Sequence, residues 1–156
     1  MSATVHAAHV ILAGVWFGGV IFTTTVVSPA LKTMKWVEHE RVLVRSKIGK
    51  QYAMVGGANL VLLVIFALLD GLLAGFWAAF YAEYLLLVVL LGLVAAHGAY
   101  FGRRLRELAE VERTASSDEE AHALAKRRRE LQRLSLRVSW ADLLISLAVV
   151  VIAINA

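Results

Sequence analysis

VHAAHVILAGVWFGGVIFTTTVVSPAL, residues 5–31, decides the fold. It is apolar for longer than the ~20 residues a helix needs to cross ~30 Å of hydrocarbon, yet it opens with two histidines three positions apart. It lacks the basic leader and the small-residue exit of a cleaved signal, so it reads as a retained span. Three further runs of the same kind follow, giving spans at about 8–31, 52–76, 78–102 and 138–156. Hydrophobic residues make up 60% of the 156-residue chain, above the ~45–50% of soluble domains. The expectation is an all-α, integral membrane four-helix bundle forming one domain. The chain has no cysteine, which excludes disulfides, thiolate metal sites and thiol catalysis.

The cations set the topology. Six Lys and Arg lie between Lys32 and Lys50, ten lie between Arg103 and Arg137, and the chain has 16 in all. The positive-inside rule then makes 32–50 and 103–137 cytoplasmic and puts both termini outside. Segment 32–50 reads as a short connection lying along the membrane surface, with Trp36 at the interface. Segment 103–137 reads as a helical hairpin between spans three and four. Its turn, TASSDEE, has capping-box spacing in Ser116 with Glu119 or Ser117 with Glu120. Leu124, Leu131 and Leu134 are expected to face Leu105 and Leu108. Juxtamembrane cations are expected of any such chain, so no nucleic-acid partner is called for. The expected partner is the lipid bilayer, with a homo-oligomer or a larger membrane complex as further partners.

Counting residues from the cations at ~1.5 Å each gives depth. Asp70 lies 20 residues beyond Lys50, Glu83 lies 20 before Arg103 and His9 lies 23 before Lys32. His6, His9, Asp70 and Glu83 therefore share a level near the outer face. The i, i+3 spacing puts His6 and His9 on one helix face. With a carboxylate they make a set suited to zinc or copper. His97 and Asp142 lie six and five residues from the inner cations, a second level where the two are expected to meet. Thr24, Thr25 and Asn59 fall at a comparable depth. Ionisable groups inside a bilayer are costly and mark function by default, so His97 and Asp142 are the candidate proton-handling or catalytic pair. His9 and His97 are ~25 Å apart by this count, too far to ligate one haem iron together. His39 and His122 read as bystanders. Gly14 and Gly18 have GxxxG spacing, which suggests close helix packing. Trp16 reads as core, and Trp77, Phe80, Tyr81 and Tyr84 read as an outer aromatic belt.

Two motifs carry a family resemblance. HAAHVILAGVWFGGVIF, with VVSPALK after it, resembles the opening helix of small membrane proteins related to copper-resistance protein D. EYLLLVVLLGLVAAHGAYFGRRLRELA resembles the third helix of the HemJ-type membrane protoporphyrinogen oxidase. The HemJ resemblance implies haem b, with His9 the matched ligand and His97 the other matched histidine. It differs in lacking that family's lysine early in helix three (AEYL here) and its acid–proline step entering helix four (SWADLL here). The expected function is haem or metal binding in a bacterial plasma membrane, with a redox role as a haem-dependent oxidoreductase. The rivals are a non-catalytic accessory or scaffolding subunit and an oligomeric transporter of copper or another small solute.

Overall fold

The computed structural model describes residues 3–155, apart from the side chains of Glu38 and His39; the expectation for His39 thus lies outside the described residues. The order is α1 (Ala3–Ile21), a π-helical turn (Phe22–Val27), α2 (Ser28–Thr33), α3 (Glu38–Ala74), α4 (Ala78–Ala96), a second π-helical turn (His97–Phe101), α5 (Gly102–Arg113) and α6 (Asp118–Asn155). Among the described residues four helical stretches are long and apolar enough to cross a membrane. The chain is an integral membrane four-helix bundle. Consecutive spans are neighbours: α1 packs on α3 and α6, α6 packs on α4 and α5, and α3 also meets α4.

Each span is apolar nearly all round, so the inward face is chosen by what it can pair with. On α1 the buried residues are His9, Ala13, Trp16 and Val20, a 3.6-period stripe. Leu60, Leu63 and Ala67 from α3, Leu87 and Leu90 from α4, and Val149 and Ala153 from α6 complete the core with them. Alanines 13, 67 and 153 are fully buried. Gly14 and Gly18 have nothing within 4 Å of the place a Cβ would take. They face away from the bundle, which corrects the expected GxxxG packing. The close approach falls instead at Gly19, where a Cβ would lie 3.1 Å from the Tyr52 hydroxyl.

Two other expectations change. Segment 32–50 does not lie along the surface: the chain breaks only at Met34–Val37, and α3 then runs unbroken from Glu38 to Ala74, carrying Arg41, Arg45, Lys47 and Lys50 in line with span two. A helix continues wherever its backbone bonds are unopposed, and residues 38–50 contain no proline to stop it. Phe80 is buried rather than part of the belt; it packs edge-on against Phe76 and Trp77. The turn between α3 and α4 is short, with Gly75 at φ 79°, a conformation that favours glycine.

Pro29 does not end the first span. Its missing N–H and its ring remove the usual bond to the carbonyl four residues back. The preceding turn widens instead, and the Ser28 N–H donates to the Thr23 carbonyl five residues back. The Thr23 hydroxyl donates to the Gly19 and Val20 carbonyls, and that of Thr25 to Ile21, competing with the regular ladder.

The hairpin is helical on both arms, as expected. Ser117 Oγ caps α6 by accepting the Glu120 N–H at 3.3 Å, and the Glu120 carboxylate reaches back to the Ser116 N–H and hydroxyl. Leu124 and Leu131 are half-buried while Leu134 is exposed. Arg128 is the buried contact, donating from Nε to Glu112 Oε2 at 2.7 Å. Arg106 Nη1 donates to Ser46 Oγ at 3.1 Å, so both basic segments occupy one end of the bundle.

Glycine substitutions separate the lipid-facing and packed positions. A Cβ on Gly71 would collide with the Tyr84 hydroxyl and lie 2.9 Å from the Phe76 ring, and Tyr84 Oη is already committed to the Ala67 carbonyl. Gly71→Ala is expected to cost about 1–3 kcal/mol, whereas Gly14→Ala and Gly18→Ala leave stability unchanged or raise it. Thermal unfolding in mild detergent, followed by circular dichroism, reads the difference.

Candidate metal centre

At the end of the bundle opposite the cations, α1, α3 and α4 bring four ionisable side chains together. Helical spacing sets His6 and His9 on successive turns of α1. Asp70 lies one turn before the end of α3, and Glu83 lies in the second turn of α4. His6 Nδ1 donates to Asp70 Oδ2 at 2.8 Å, and His9 Nδ1 donates to the same oxygen at 3.1 Å. His9 Nε2 donates to Glu83 Oε1 at 2.7 Å. His9, Asp70 and Glu83 are fully buried, while the His6 side chain is 24% exposed. The four residues expected at one level are thus in direct contact.

The electrostatics follow from burial. Two carboxylates out of water need compensating positive charge. A proton on each nitrogen of His9 satisfies both of its contacts and cancels one carboxylate charge. His6, at the rim, faces the other. One oxygen of each acid, Asp70 Oδ1 and Glu83 Oε2, has no hydrogen-bond partner among the described residues. Those oxygens retain lone pairs for a further ligand.

The donors are arranged asymmetrically. One ligand atom from each of His6, His9 and Asp70 lies within 4.8 Å of the others. Zinc holds its ligands at ~2.0–2.2 Å, so small side-chain adjustments close this set on an ion. Glu83, expected as a ligand, sits behind the His9 ring at the opposite nitrogen. That is the position of an outer carboxylate that fixes a metal-ligating histidine's tautomer. Trp16 lies two turns below and donates from Nε1 to Ser146 Oγ at 2.9 Å, locking α1 to α6. Asn59 Nδ2 donates to the Leu12 carbonyl, which puts Asn59 nearer the histidine end than residue counting gave.

His97 and Asp142 are not brought into contact. His97 Nε2 lies 3.5 Å from Ser135 Oγ, and Asp142 Oδ1 is buried without a hydrogen-bond partner among the described residues. The depth count placed them at one level, but level does not fix the direction in which a side chain leaves its helix. His122 is exposed, with Nδ1 at 3.0 Å from the Asp118 carbonyl. Sequence reasoning missed Tyr52, Ser135, Ser139 and Ser146. The serines and Asp142 form a polar i, i+4, i+7, i+11 stripe on α6, a legible signal; Tyr52, two residues from Lys50, reads as merely interfacial.

No curated protein and no solved structure matches the chain. The profile of a family described as a domain of unknown function, DUF4149, matches residues 11–114. That stretch includes Asp70 and Glu83 and begins just after the two histidines. Because it covers most of the 156 residues, the chain belongs to the DUF4149 family.

Proposed function

We propose that this protein binds a divalent transition metal, zinc or copper, at the outer face of the membrane. His6 Nδ1, His9 Nδ1 and the Asp70 carboxylate would be the ligands, and Glu83 would hold His9 in register. The observation that carries this reading is the convergence of those three donors while a buried carboxylate grips the far nitrogen of His9. Two histidines and one carboxylate leave a fourth position open, on the side where His6 is exposed. The positive-inside rule supports an outward orientation for this end. Copper would give the site a redox role; zinc would not. A bare ion is favoured over haem because His9 is fully buried with a carboxylate at each ring nitrogen: an ion can replace the proton on Nδ1, whereas a porphyrin would have to part the packed helices. In the accessory-subunit reading the same four residues would serve only as an ion-pair network.

Titration of zinc or copper into metal-free protein in detergent, by calorimetry or chelator competition, tests the proposal. Wild type is expected to bind, His6→Ala, His9→Ala and Asp70→Asn to lose binding, and Glu83→Gln to bind about 10–100-fold more weakly. No binding by wild type, or equal binding by His9→Ala, overturns it. A Soret band that is lost in His9→Ala would favour haem instead.

Protons and metal compete for the same nitrogens. Binding should therefore release protons, and affinity should fall as pH drops. Calorimetry in buffers of different ionisation enthalpy counts the protons released. A pH-independent affinity would contradict ligation through His6 and His9.

A further inference from the structure

The basic half of the bundle holds a second polar assembly. The first and third spans each widen into a π-helical turn there, where Ser28 N–H bonds to the Thr23 carbonyl and Gly102 N–H to the His97 carbonyl. Such turns occur disproportionately at functional sites. Tyr52 on α3 lies against α1, its ring packed at 6.2 Å from that of Trp16 and its hydroxyl in the notch left by Gly19. Tyr52 Oη and Asp142 Oδ1 are both buried, and neither has a hydrogen-bond partner among the described residues. The Asp142 carboxyl is close enough to act electrostatically on the Tyr52 phenol.

From Asp142 a ladder of polar groups descends α6 toward the cations. Ser139 Oγ donates to the Ser135 carbonyl at 3.1 Å, and Ser135 Oγ meets His97 Nε2. Toward the histidine end the way is closed. Trp16 with Ser146, then Leu60, Leu63, Leu87, Leu90 and Val149, fill the bundle. The surrounding titratable groups are few. The first span offers only threonines at this level, α3 offers Tyr52 with Lys50 below it, the third span offers His97, Tyr100 and Arg103, and α6 offers Arg137.

We propose that Asp142 and Tyr52 form an inner proton site, open to the basic end and closed to the metal centre. A lone carboxylate without countercharge is costly in apolar surroundings. The Asp142 carboxylate takes a proton from water that reaches it from the basic end, along the side lined by Ser139, Ser135 and His97, and becomes the neutral acid. It returns the same proton by that route. Tyr52 keeps its own proton, and its phenol bears on the aspartate electrostatically, without a direct hydrogen bond. This site does not depend on the outer centre being loaded.

Infrared difference spectroscopy tests it, on metal-free protein reconstituted in phosphatidylcholine vesicles and stepped from about pH 4 to 9, a range that brackets carboxyl and histidine titration. Wild type is expected to show a carboxylic-acid C=O band that titrates and is missing from Asp142→Asn. Tyr52→Phe, which removes the phenol dipole beside the carboxyl, should displace the midpoint of that band by about half a unit. The band should persist in His9→Ala, which separates this proposal from the metal reading. Identical spectra for wild type and Asp142→Asn overturn the proposal. An unmoved midpoint in Tyr52→Phe, whose fold loses only one unpartnered oxygen, overturns the role given to Tyr52.

Discussion

Everything at the histidine end depends on His9 standing between two buried carboxylates. In an apolar medium each acid needs a partner, and one imidazole reaches both because its two nitrogens point in opposite directions. The contacts at 3.1 and 2.7 Å join α1 to α3 on one side and to α4 on the other. That fixes three helices in rotation and in height at once. One residue of slippage would turn His9 by ~100° and leave two acids unpaired. Generic apolar packing cannot impose such a register, because lipid tails are as apolar as the side chains they would replace.

Below that level the bundle is held differently. The fully buried alanines on α1, α3 and α6 let the backbones approach, and Leu60, Leu63, Leu87 and Leu90 fill the space they leave. The Trp16–Ser146 bond fixes α1 against α6. Polar groups therefore lie in discrete layers with an apolar plug between them. In the outer layer each acid meets an imidazole through one oxygen, whereas in the inner one Tyr52 Oη and Asp142 Oδ1 have no hydrogen-bond partner among the described residues. That contrast is why the two levels are assigned different chemistry.

The spans and the outer cluster were legible because they rest on local, nearly rigid quantities. Apolar length is a property of composition, and a helix rises by a fixed ~1.5 Å per residue, so counting from Lys32, Lys50 and Arg103 put His9, Asp70 and Glu83 at one height. Azimuth was not legible by the same count. GxxxG spacing puts Gly14 and Gly18 on one face without saying that it faces inward; His9, Ala13, Trp16 and Val20 choose the opposite side. His97 and Asp142 fail to meet for the same reason. The course of residues 38–50 was missed because charge content tells where a segment lies relative to lipid, not the direction of its axis.

Charge balance connects the proposed metal reading to the site's architecture. An empty cluster is neutral when two protons balance the charges of Asp70 and Glu83. A dication bound through His6, His9 and Asp70 would replace two protons and leave the sum unchanged. Loading is then electroneutral within a buried cluster, which avoids the several kcal/mol that an uncompensated charge costs there. With one histidine or one carboxylate fewer, either the empty or the loaded state would carry a bare charge. On the proposed reading Glu83 would matter to the metal without touching it. It would supply the second negative charge that the ion requires, and its grip on Nε2 keeps Nδ1 turned toward His6 and Asp70.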